Sequence, residues 1–272
     1  MKKITALLLI IILAAGLFAG CGDKAASGKD TSLDKVLDAG KFVLGLDDSF
    51  PPMGYRDETN KIVGFDIDIA AEVCSRLKVE LVLQPISWDA KEQELNSGNI
   101  DCIWNGMSIS AERAEAMNLS EPYMNNRMVL VVLGDSTYNT IADLAGQSVG
   151  VQTGSTAQSI LEEGDEAADF YASLKDTVGY KDNVTAFMDL EAKGIAAVFL
   201  DEVVANHFIS EQSKDYRVLE EGIADEQYAI GFRKNDQALR DKVQETLSAM
   251  KADGTLAEIS EKWFGKDVTI VK

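Results

Sequence analysis

The hydrophobic and polar positions of the chain alternate between two periods from residue 42 onwards. Short apolar runs such as 42–46 predict buried strands, and longer stretches with apolar residues at every third or fourth position, such as 66–77, predict amphipathic helices. Further strands are predicted at 79–83, 100–104, 148–151 and 196–200, and further helices at 88–96, 156–162, 183–191 and 237–252. Strands that alternate with helices in this way predict an α/β fold.

The strands and helices fall into two sets, the second of which starts at residue 148. Segments 123–127 and 224–228 lie between the sets and are the candidate crossovers. After the second crossover the chain closes with the helix at 237–252 and a last helix that ends near Trp263. The sequence therefore predicts two joined α/β units.

Residues 1–20 have the pattern of a secretory signal. Two lysines precede an apolar run at 4–19, which is shorter than the roughly 20 residues that cross a bilayer as a helix. Small residues before Cys21 resemble a lipoprotein cleavage site and predict that a lipid on Cys21 anchors the protein outside the cytoplasm; an ordinary cleaved signal is the alternative. Residues 21–32 are small and polar, as in a flexible tether, so the fold should begin near Leu33.

The composition disfavours several kinds of partner and site. A net charge of −19 disfavours nucleic acid. One histidine, no paired-cysteine motif and no cluster of oxygen ligands near Asp66 and Asp68 disfavour a metal site, and we expect no cofactor. Cys74 and Cys102 lie in apolar segments and are expected to be buried free thiols rather than a disulfide. We expect the protein to be a monomer.

The segment 146–150, Gly-Gln-Ser-Val-Gly, matches the G-x-S-x-G pattern of serine hydrolases. That pattern needs a strand before the serine and a helix after it. Here Ser148 follows a helix-and-turn segment and opens a predicted strand, and the only histidine, His207, lies on a helix that we expect to face solvent. A catalytic serine is therefore not expected.

The stretch 104–113 has the composition of a carboxylate-binding turn. Arg113 comes just past Ser108 and Ser110 at a predicted strand-to-helix junction. Hydroxyl groups and the N–H groups of a helix start attract an anion, and a guanidinium binds both oxygens of a carboxylate. The stretch therefore predicts a small anionic or zwitterionic ligand.

Two further groups complete a candidate site for a zwitterion. The turn at 153–156 offers hydroxyl and N–H groups between a strand and a helix, although by itself it would serve only as a helix N-cap. Asp201 directly follows the predicted strand at 196–200, at the end where open α/β sheets place their ligands. The cation of Arg113 and the anion of Asp201 together suit an α-amino acid.

At these residues the chain resembles the family-3 extracellular solute-binding proteins, the polar amino acid receptors of ABC importers. The resemblance covers about 33–265 and includes the signature Gly-Phe-Asp-Ile-Asp-Ile at 64–69. The motifs that carry it lie at 47–52, 64–69, 106–113, 197–201, 253–255 and 262–265. Jointly these motifs are highly specific.

The resemblance implies a two-lobed, type II periplasmic-binding-protein-like fold in which a two-strand hinge joins two α/β lobes. Lobe one would hold residues 33–123 and 229–272, and lobe two residues 124–228 with the hinge crossovers. A ligand that touches both lobes would favour the closed form, which would deliver it to the permease subunits of the importer.

The resemblance also implies roles for single residues. The ligand carboxylate would be bound by Arg113, Ser108, Thr156 and the backbone of Asn105 and Gly106, the ammonium group by Asp201, the aliphatic part by Phe50 and Trp88, and the polar end by Asp47 and Gln152. Trp104 is either a further stacking group or part of the core. The candidate ligands are free arginine, lysine, glutamine and cystine.

Two alternatives stay open beside an amino acid receptor. Cyclohexadienyl dehydratases resemble the same family, but retention of both Arg113 and Asp201 favours amino acid binding over dehydration. The other alternative is a ligand-sensing lobe that reports to a membrane receptor. The sequence therefore predicts a binding protein rather than an enzyme.

Overall fold

The computed structural model describes residues 29–211, 215–220 and 222–272. The predicted signal at 1–20, Cys21 and most of the predicted tether lie outside these ranges. Within them no helix has the length and the apolar character needed to cross a membrane.

Fourteen strands and ten α-helices make up the described chain. The strands are β1 Lys41–Leu46, β2 Ser49–Phe50, β3 Gly54–Arg56, β4 Ile62–Val63, β5 Glu80–Pro85, β6 Cys102–Ile103, β7 Asn118–Leu119, β8 Met124–Leu133, β9 Ser148–Gln152, β10 Asp176–Tyr180, β11 Ala197–Asp201, β12 Tyr216–Val218, β13 Ala224–Tyr228 and β14 Gly231–Phe232. The helices are α1 Ser32–Ala39, α2 Phe65–Leu77, α3 Lys91–Ser97, α4 Ala111–Ala116, α5 Thr156–Glu163, α6 Ala168–Ser173, α7 Asn183–Glu191, α8 Glu202–Glu211, α9 Gln237–Asp253 and α10 Thr255–Phe264.

Lobe one is built on a mixed five-stranded sheet with the order β5-β1-β6-β14-β7. Strand β1 runs parallel to β5 and β6, whereas β14 runs antiparallel to β6 and β7. Phe42, Leu44 and Leu46 of β1 are fully buried, because helices cover this central strand. A small three-stranded sheet, β2-β3-β4, follows β1 and carries Phe50 towards the other lobe.

Lobe two is built on a six-stranded sheet with the order β10-β9-β11-β8-β12, and β13 pairs with β8 beside this path. Strand β9 runs parallel to β10 and β11, and β8 runs antiparallel to β11 and β12. Every residue of β11 is buried, from Ala197 to Asp201. The centre of the sheet is therefore shielded from solvent, and the carboxyl end of β11 points towards lobe one.

The ten-residue strand β8 connects the two lobes. Its first half pairs antiparallel with β13, with Arg127 opposite Asp225 and Met124 opposite Tyr228. Its second half pairs with the strands of lobe two. The segments predicted as crossovers, 123–127 and 224–228, thus lie side by side as a two-stranded ribbon.

The predicted strands and helices are found with shifted ends, but the ten-residue strand β8 was predicted only as a crossover at 123–127, and several short elements were missed. Strands β2, β3 and β4 have two or three residues each, too few to show a period. Strand β10 carries polar residues and no apolar run. Helix α1 starts at Ser32, close to the predicted beginning of the fold.

Four single expectations can be compared with the structure. Cys74 and Cys102 are buried and free, as predicted. Ser148 opens β9 and is not preceded by a strand, which agrees with the rejection of a nucleophile elbow. Trp104 is fully buried in the core of lobe one, so core packing is the correct one of its two interpretations. His207, on the helix expected to face solvent, is half-buried, and its ring packs edge-on against the ring of Tyr55 with 5.4 Å between the ring centroids.

Candidate functional site

A small cavity lies between the lobes, and ten residues line it. They are Phe50, Trp88, Gly106, Ser108, Arg113, Met128, Gln152, Ser155, Thr156 and Asp201. All but two of them are among the predicted site residues; the two additions are Met128, on the connecting strand β8, and Ser155. Groups that lie far apart in the sequence therefore meet at one place, where the two lobes face each other.

Arg113 is held in place by the start of α4. Ser110 caps this helix and accepts a hydrogen bond from the Arg113 backbone N–H at 3.2 Å. Arg113 is 6% exposed, and its Nη1 donates to the Ser108 carbonyl oxygen at 2.9 Å. Burial lowers the pKa of Arg113, yet an arginine stays charged in a protein. Within the described residues that carbonyl is its one hydrogen-bond partner, so further N–H groups can bind an anion.

Asp201 is the last residue of β11 and reaches the cavity from lobe two. Its Oδ1 accepts hydrogen bonds from the Tyr228 hydroxyl and from Asn126 Nδ2, the latter at 2.9 Å. Burial raises the pKa of Asp201 to about 6, against the effect of these donors and of Arg113. The carboxylate is thus ionised at neutral pH and can accept from an ammonium group.

Glu226 is a third ionisable group near the cavity that the sequence analysis missed. It lies on β13 opposite Asn126 of β8. Its Oε2 accepts from the Ser108 hydroxyl at 2.9 Å and from Asn126 Nδ2 at 3.3 Å. Burial, and next the charge of Asp201, raise the pKa of Glu226 to about 8. No motif marks this residue, because its partner Ser108 lies 118 positions earlier in the chain.

At the other end of the cavity, Asp47 and Gln152 bond to each other across the lobes. Gln152 Nε2 donates to Asp47 Oδ2 at 2.6 Å, and Ser49 donates to Asp47 Oδ1. Asp47 is not among the lining residues; it lines an adjoining crevice of about 230 Å³. Asn105 lies behind it and accepts from the Asp47 backbone N–H at 3.0 Å, so its side chain supports the site from outside the cavity.

Trp88 and Phe50 form the apolar wall of the cavity, with 7% and 6% of their surfaces exposed. Lys91 stacks over the Trp88 ring at 5.3 Å and donates from Nζ to the Gly154 carbonyl of lobe two at 2.9 Å. Burial and then the charge of Arg113 lower the pKa of Lys91 to about 8. No pattern in the sequence indicates this second contact between the lobes.

The turn at 153–156 has the predicted position between β9 and α5. Ser155 is the N-cap of α5, and its hydroxyl accepts from the Gln158 N–H at 3.1 Å. Gly154 has φ +73°, and a Cβ there would lie 2.8 Å from Asp89 Cα of lobe one. A side chain at this position would therefore press against the opposite lobe.

Asp66 links the loop that carries Gly106 to Tyr123, which directly precedes the connecting strand β8. It lies in the first turn of α2, as predicted, and it is fully buried. Its Oδ2 accepts from the Gly106 N–H at 2.7 Å and from the Tyr123 hydroxyl at 2.9 Å. Burial raises the pKa of Asp66 to about 7. The signature motif therefore fixes the loop that carries Gly106 and Ser108.

The cavity itself is narrow, with a volume of about 10 Å³. That is space for about one water molecule. An amino acid can enter only when the lobes move apart or the lining side chains shift. Arg113 and Asp201 present opposite charges to this cavity from different lobes, an arrangement complementary to a small dipolar molecule.

A family model for bacterial extracellular solute-binding proteins, family 3, matches residues 42–266. The chain belongs to this family. This solute-binding protein is 30% identical over 260 residues to the L-cystine-binding protein TcyJ of Escherichia coli (strain K12), covering 95% of each chain. It is 33% identical over 231 residues to the ABC transporter arginine-binding protein 1 of the same strain, covering 83% of this chain and 91% of that one.

Two solved structures connect the fold of this solute-binding protein with amino acid ligands. A substrate-binding protein of an ABC uptake transporter from Streptococcus pneumoniae, with bound histidine, has a TM-score of 0.84 and 36% identity over 89% of this chain and 98% of that chain. The ancestral amino acid-binding protein AncCDT-1, a precursor of cyclohexadienyl dehydratase, has a TM-score of 0.78 and 27% identity over 86% and 99% of the two chains. The periplasmic-binding-protein-like fold predicted from the sequence is thereby confirmed.

Proposed function

We propose that this solute-binding protein is the extracytoplasmic receptor of an ABC importer and that it captures a free, polar L-amino acid between its lobes. The observation that carries the proposal is the placement of Arg113 and Asp201. They are opposite charges, both 6% exposed, and they line one cavity from different lobes. An α-amino acid has the complementary carboxylate and ammonium groups.

The buried charges of Arg113 and Asp201 would supply much of the binding free energy. A guanidinium binds a carboxylate through two parallel hydrogen bonds, and a carboxylate accepts strongly from an ammonium group. Removing one partner of such a desolvated pair typically weakens binding by about 2–5 kcal/mol, since the other charge is left buried without a partner. Binding in the micromolar range needs about −8 kcal/mol, so the two charge pairs supply a large share of it.

Closure of the lobes is the proposed signal to the permease. The ribbon of β8 and β13 serves as the hinge, with residues 33–123 and 229–272 in lobe one and 124–228 in lobe two. A ligand that contacts both lobes binds the closed form better than the open form, so it shifts the population towards closure. The bonds from Lys91 to Gly154 and from Gln152 to Asp47 then add to the closed form.

The ligand class is a polar amino acid, and a basic one fits the site. At the second end of the cavity, Gln152 offers an amide group, and Asp47, which is bonded to it, offers a carboxylate. A cationic side chain would bond to Asp47, and an amide side chain could exchange bonds with either group. Arginine, lysine, glutamine and cystine therefore remain the candidates, and the relatives named above bind cystine, arginine and histidine.

Attachment to the outer face of the cell membrane through a lipid on Cys21 is part of the proposal. The support is the signal pattern at 1–20 followed by small residues and Cys21. Labelling growing cells with a radioactive fatty acid should mark the wild-type protein, whereas Cys21→Ala should remain unlabelled. A wild-type protein that is released into the medium without label would contradict the anchor.

A thermal-shift screen tests the proposed function. The protein lacking residues 1–28 is heated with each common amino acid, with cystine and with prephenate, because a bound ligand raises the melting temperature by mass action. A shift with one or two polar amino acids is the expected result. A response to prephenate alone would favour the dehydratase alternative, since AncCDT-1 is a neighbour in structure.

A further inference from the structure

Glu226 stands directly behind the groups that the proposed function assigns to the ligand head. Its Oε2 accepts from the Ser108 hydroxyl at 2.9 Å, and Ser108 lines the cavity. The same oxygen accepts from Asn126 Nδ2 at 3.3 Å, while that nitrogen also donates to Asp201 Oδ1 at 2.9 Å. Glu226 therefore touches one cavity residue directly and a second through Asn126.

The charges around Glu226 do not balance when it is ionised. Glu226 and Asp201 are two carboxylates that share one amide donor, and Arg113 is the cation whose charge acts on both. A ligand carboxylate would then be a third anion around one guanidinium, and like charges at such short range disfavour ionisation. With a proton on Glu226, the site holds one cation and one anion, which matches a zwitterion.

Protonation of Glu226 changes the group to which the Ser108 hydroxyl can donate. An ionised carboxylate only accepts hydrogen bonds, so it takes the single Ser108 proton. A protonated carboxyl group can donate to Ser108 Oγ instead, and the Ser108 proton is then free to turn into the cavity. Only in the second arrangement does Ser108 donate to a ligand carboxylate held by Arg113.

We propose that Glu226 is a positioning residue that must carry a proton for tight binding, so that capture of an amino acid is coupled to proton uptake at the hinge. The proposal rests on the proposed function, because it assumes a ligand carboxylate beside Ser108 and Arg113. It predicts that affinity falls as the pH rises through the range in which Glu226 loses its proton.

The other charged groups that face Glu226 do not titrate in the same range. Arg113 stays charged, and burial keeps the pKa of Tyr228 well above its ordinary value. Burial raises the pKa of Asp201 only to about 6, below the value of about 8 for Glu226. From pH 7 to pH 9, Glu226 is thus the carboxyl group near Ser108 whose charge changes. Lys91, whose pKa burial lowers to about 8, also loses charge in this range, but it does so in the wild type and in Glu226→Gln alike, so the comparison of the two proteins isolates Glu226.

The matched variant is Glu226→Gln, whose amide donates to Ser108 at every pH. Titration calorimetry of L-arginine, L-glutamine and L-cystine at pH 7, 8 and 9 measures the dissociation constant for whichever of them binds. We expect the dissociation constant of the wild type to rise about tenfold between pH 7 and pH 9, as linkage predicts when the pH reaches one unit above the pKa of Glu226. The dissociation constant of Glu226→Gln should change much less. Loss of the ligand's own ammonium proton affects both proteins equally.

Equal pH profiles in the two proteins would overturn the proposal, even if Glu226→Gln bound more weakly at every pH, because a merely structural role predicts that result. The control is Asp225→Asn, an exposed neighbour on β13, which should keep the wild-type profile. Repeating the titration at pH 8 in buffers of different ionisation enthalpy should show more proton uptake by the wild type than by Glu226→Gln.

A measurement on the protein without ligand separates this inference from the proposed function. The side-chain carboxyl carbon of Glu226 is assigned in ¹³C NMR spectra by its absence from Glu226→Gln, and its chemical shift is followed with pH. A titration between pH 7 and pH 9 supports the inference, and a titration near the ordinary value of 4.5 overturns it. If none of the three amino acids binds at any pH, the proposed function fails while this titration still decides the state of Glu226.

Discussion

The two ends of the cavity satisfy their polar groups in different ways. At the end of Arg113 and Asp201, opposite charges are buried on separate walls, and Arg113 keeps N–H groups that bond to no described residue. At the other end Asp47 and Gln152 bond to each other at 2.6 Å, and both Asp47 oxygens accept hydrogen bonds. On the proposed binding mode, an amino acid would form two charge pairs at the first end and would have to replace existing hydrogen bonds at the second.

Because of this difference, we expect the first end to determine affinity for α-amino acids in general and the second end to determine selectivity among them. The first end is complementary to the head group that all α-amino acids share, so we expect it to contribute to the binding of each of them. The second end contributes only when a ligand side chain makes better bonds than Asp47 and Gln152 make with each other. We therefore expect substitutions at the two ends to have effects of different size and kind.

The largest effect is expected from removing a charge at the first end. Arg113→Ala and Asp201→Asn should each weaken binding by about 3–5 kcal/mol, more than a hundredfold, because each leaves a buried charge of the ligand unpaired. Titration calorimetry measures the loss, and circular dichroism checks the fold. The control is Arg56→Ala, which removes a half-exposed arginine paired with Asp48 and should leave affinity unchanged.

Micromolar binding by both Arg113→Ala and Asp201→Asn would contradict the assignment of the first end. Loss of binding in Arg56→Ala as well would point to a general effect on the protein rather than to a local one.

A smaller effect is expected where the lobes touch. Gly154→Ala should weaken binding about tenfold, since its Cβ would approach Asp89 Cα to 2.8 Å and oppose closure. Gly146→Ala is the matched control in the same lobe, because Gly146 has φ +74° and open space around its Cβ position. Both variants lose about 1–2 kcal/mol of unfolding free energy from the left-handed conformation. Equal affinity in the two would argue against contact between the lobes in the bound form.

An effect of similar size, but one that depends on the ligand, is expected from Asp47→Asn at the second end. It should weaken a cationic side chain about tenfold, because a hydrogen bond to a charged group contributes about 1.5–3 kcal/mol, and it should change an amide ligand much less. Competition between arginine and glutamine measures the change in preference. Asp48→Asn is the control, since Asp48 pairs with Arg56 instead. An unchanged preference would show that selectivity lies elsewhere.

The first end could be predicted from sequence because its groups follow local rules. Arg113 lies just inside a capped helix, and Asp201 ends a buried strand, so a short segment around each already fixes its place. Phe50, Trp88 and the 153–156 turn follow the same logic, since each sits at a junction beside a strand or helix. The two joined α/β units follow in turn from the order of strands and helices, and the two-lobed fold from the family resemblance.

The remaining groups depend on tertiary contacts that no local pattern contains. Glu226 reaches Ser108 over 118 positions, and Lys91 reaches Gly154 over 63. Both residues occupy polar positions that a surface strand or helix would also show. Asp66 was predicted in the first turn of α2, but its hydrogen bond to Gly106 requires the loop to fold back over the helix start.

The most direct test of the central claim is a crystal structure with the amino acid that gives the largest thermal shift. The account predicts that its carboxylate lies within hydrogen-bond distance of the Arg113 guanidinium, its ammonium group at Asp201, and its side chain between Phe50 and Trp88. A ligand bound elsewhere, or bound in the cavity with its head group turned towards Asp47 and Gln152, would contradict the account.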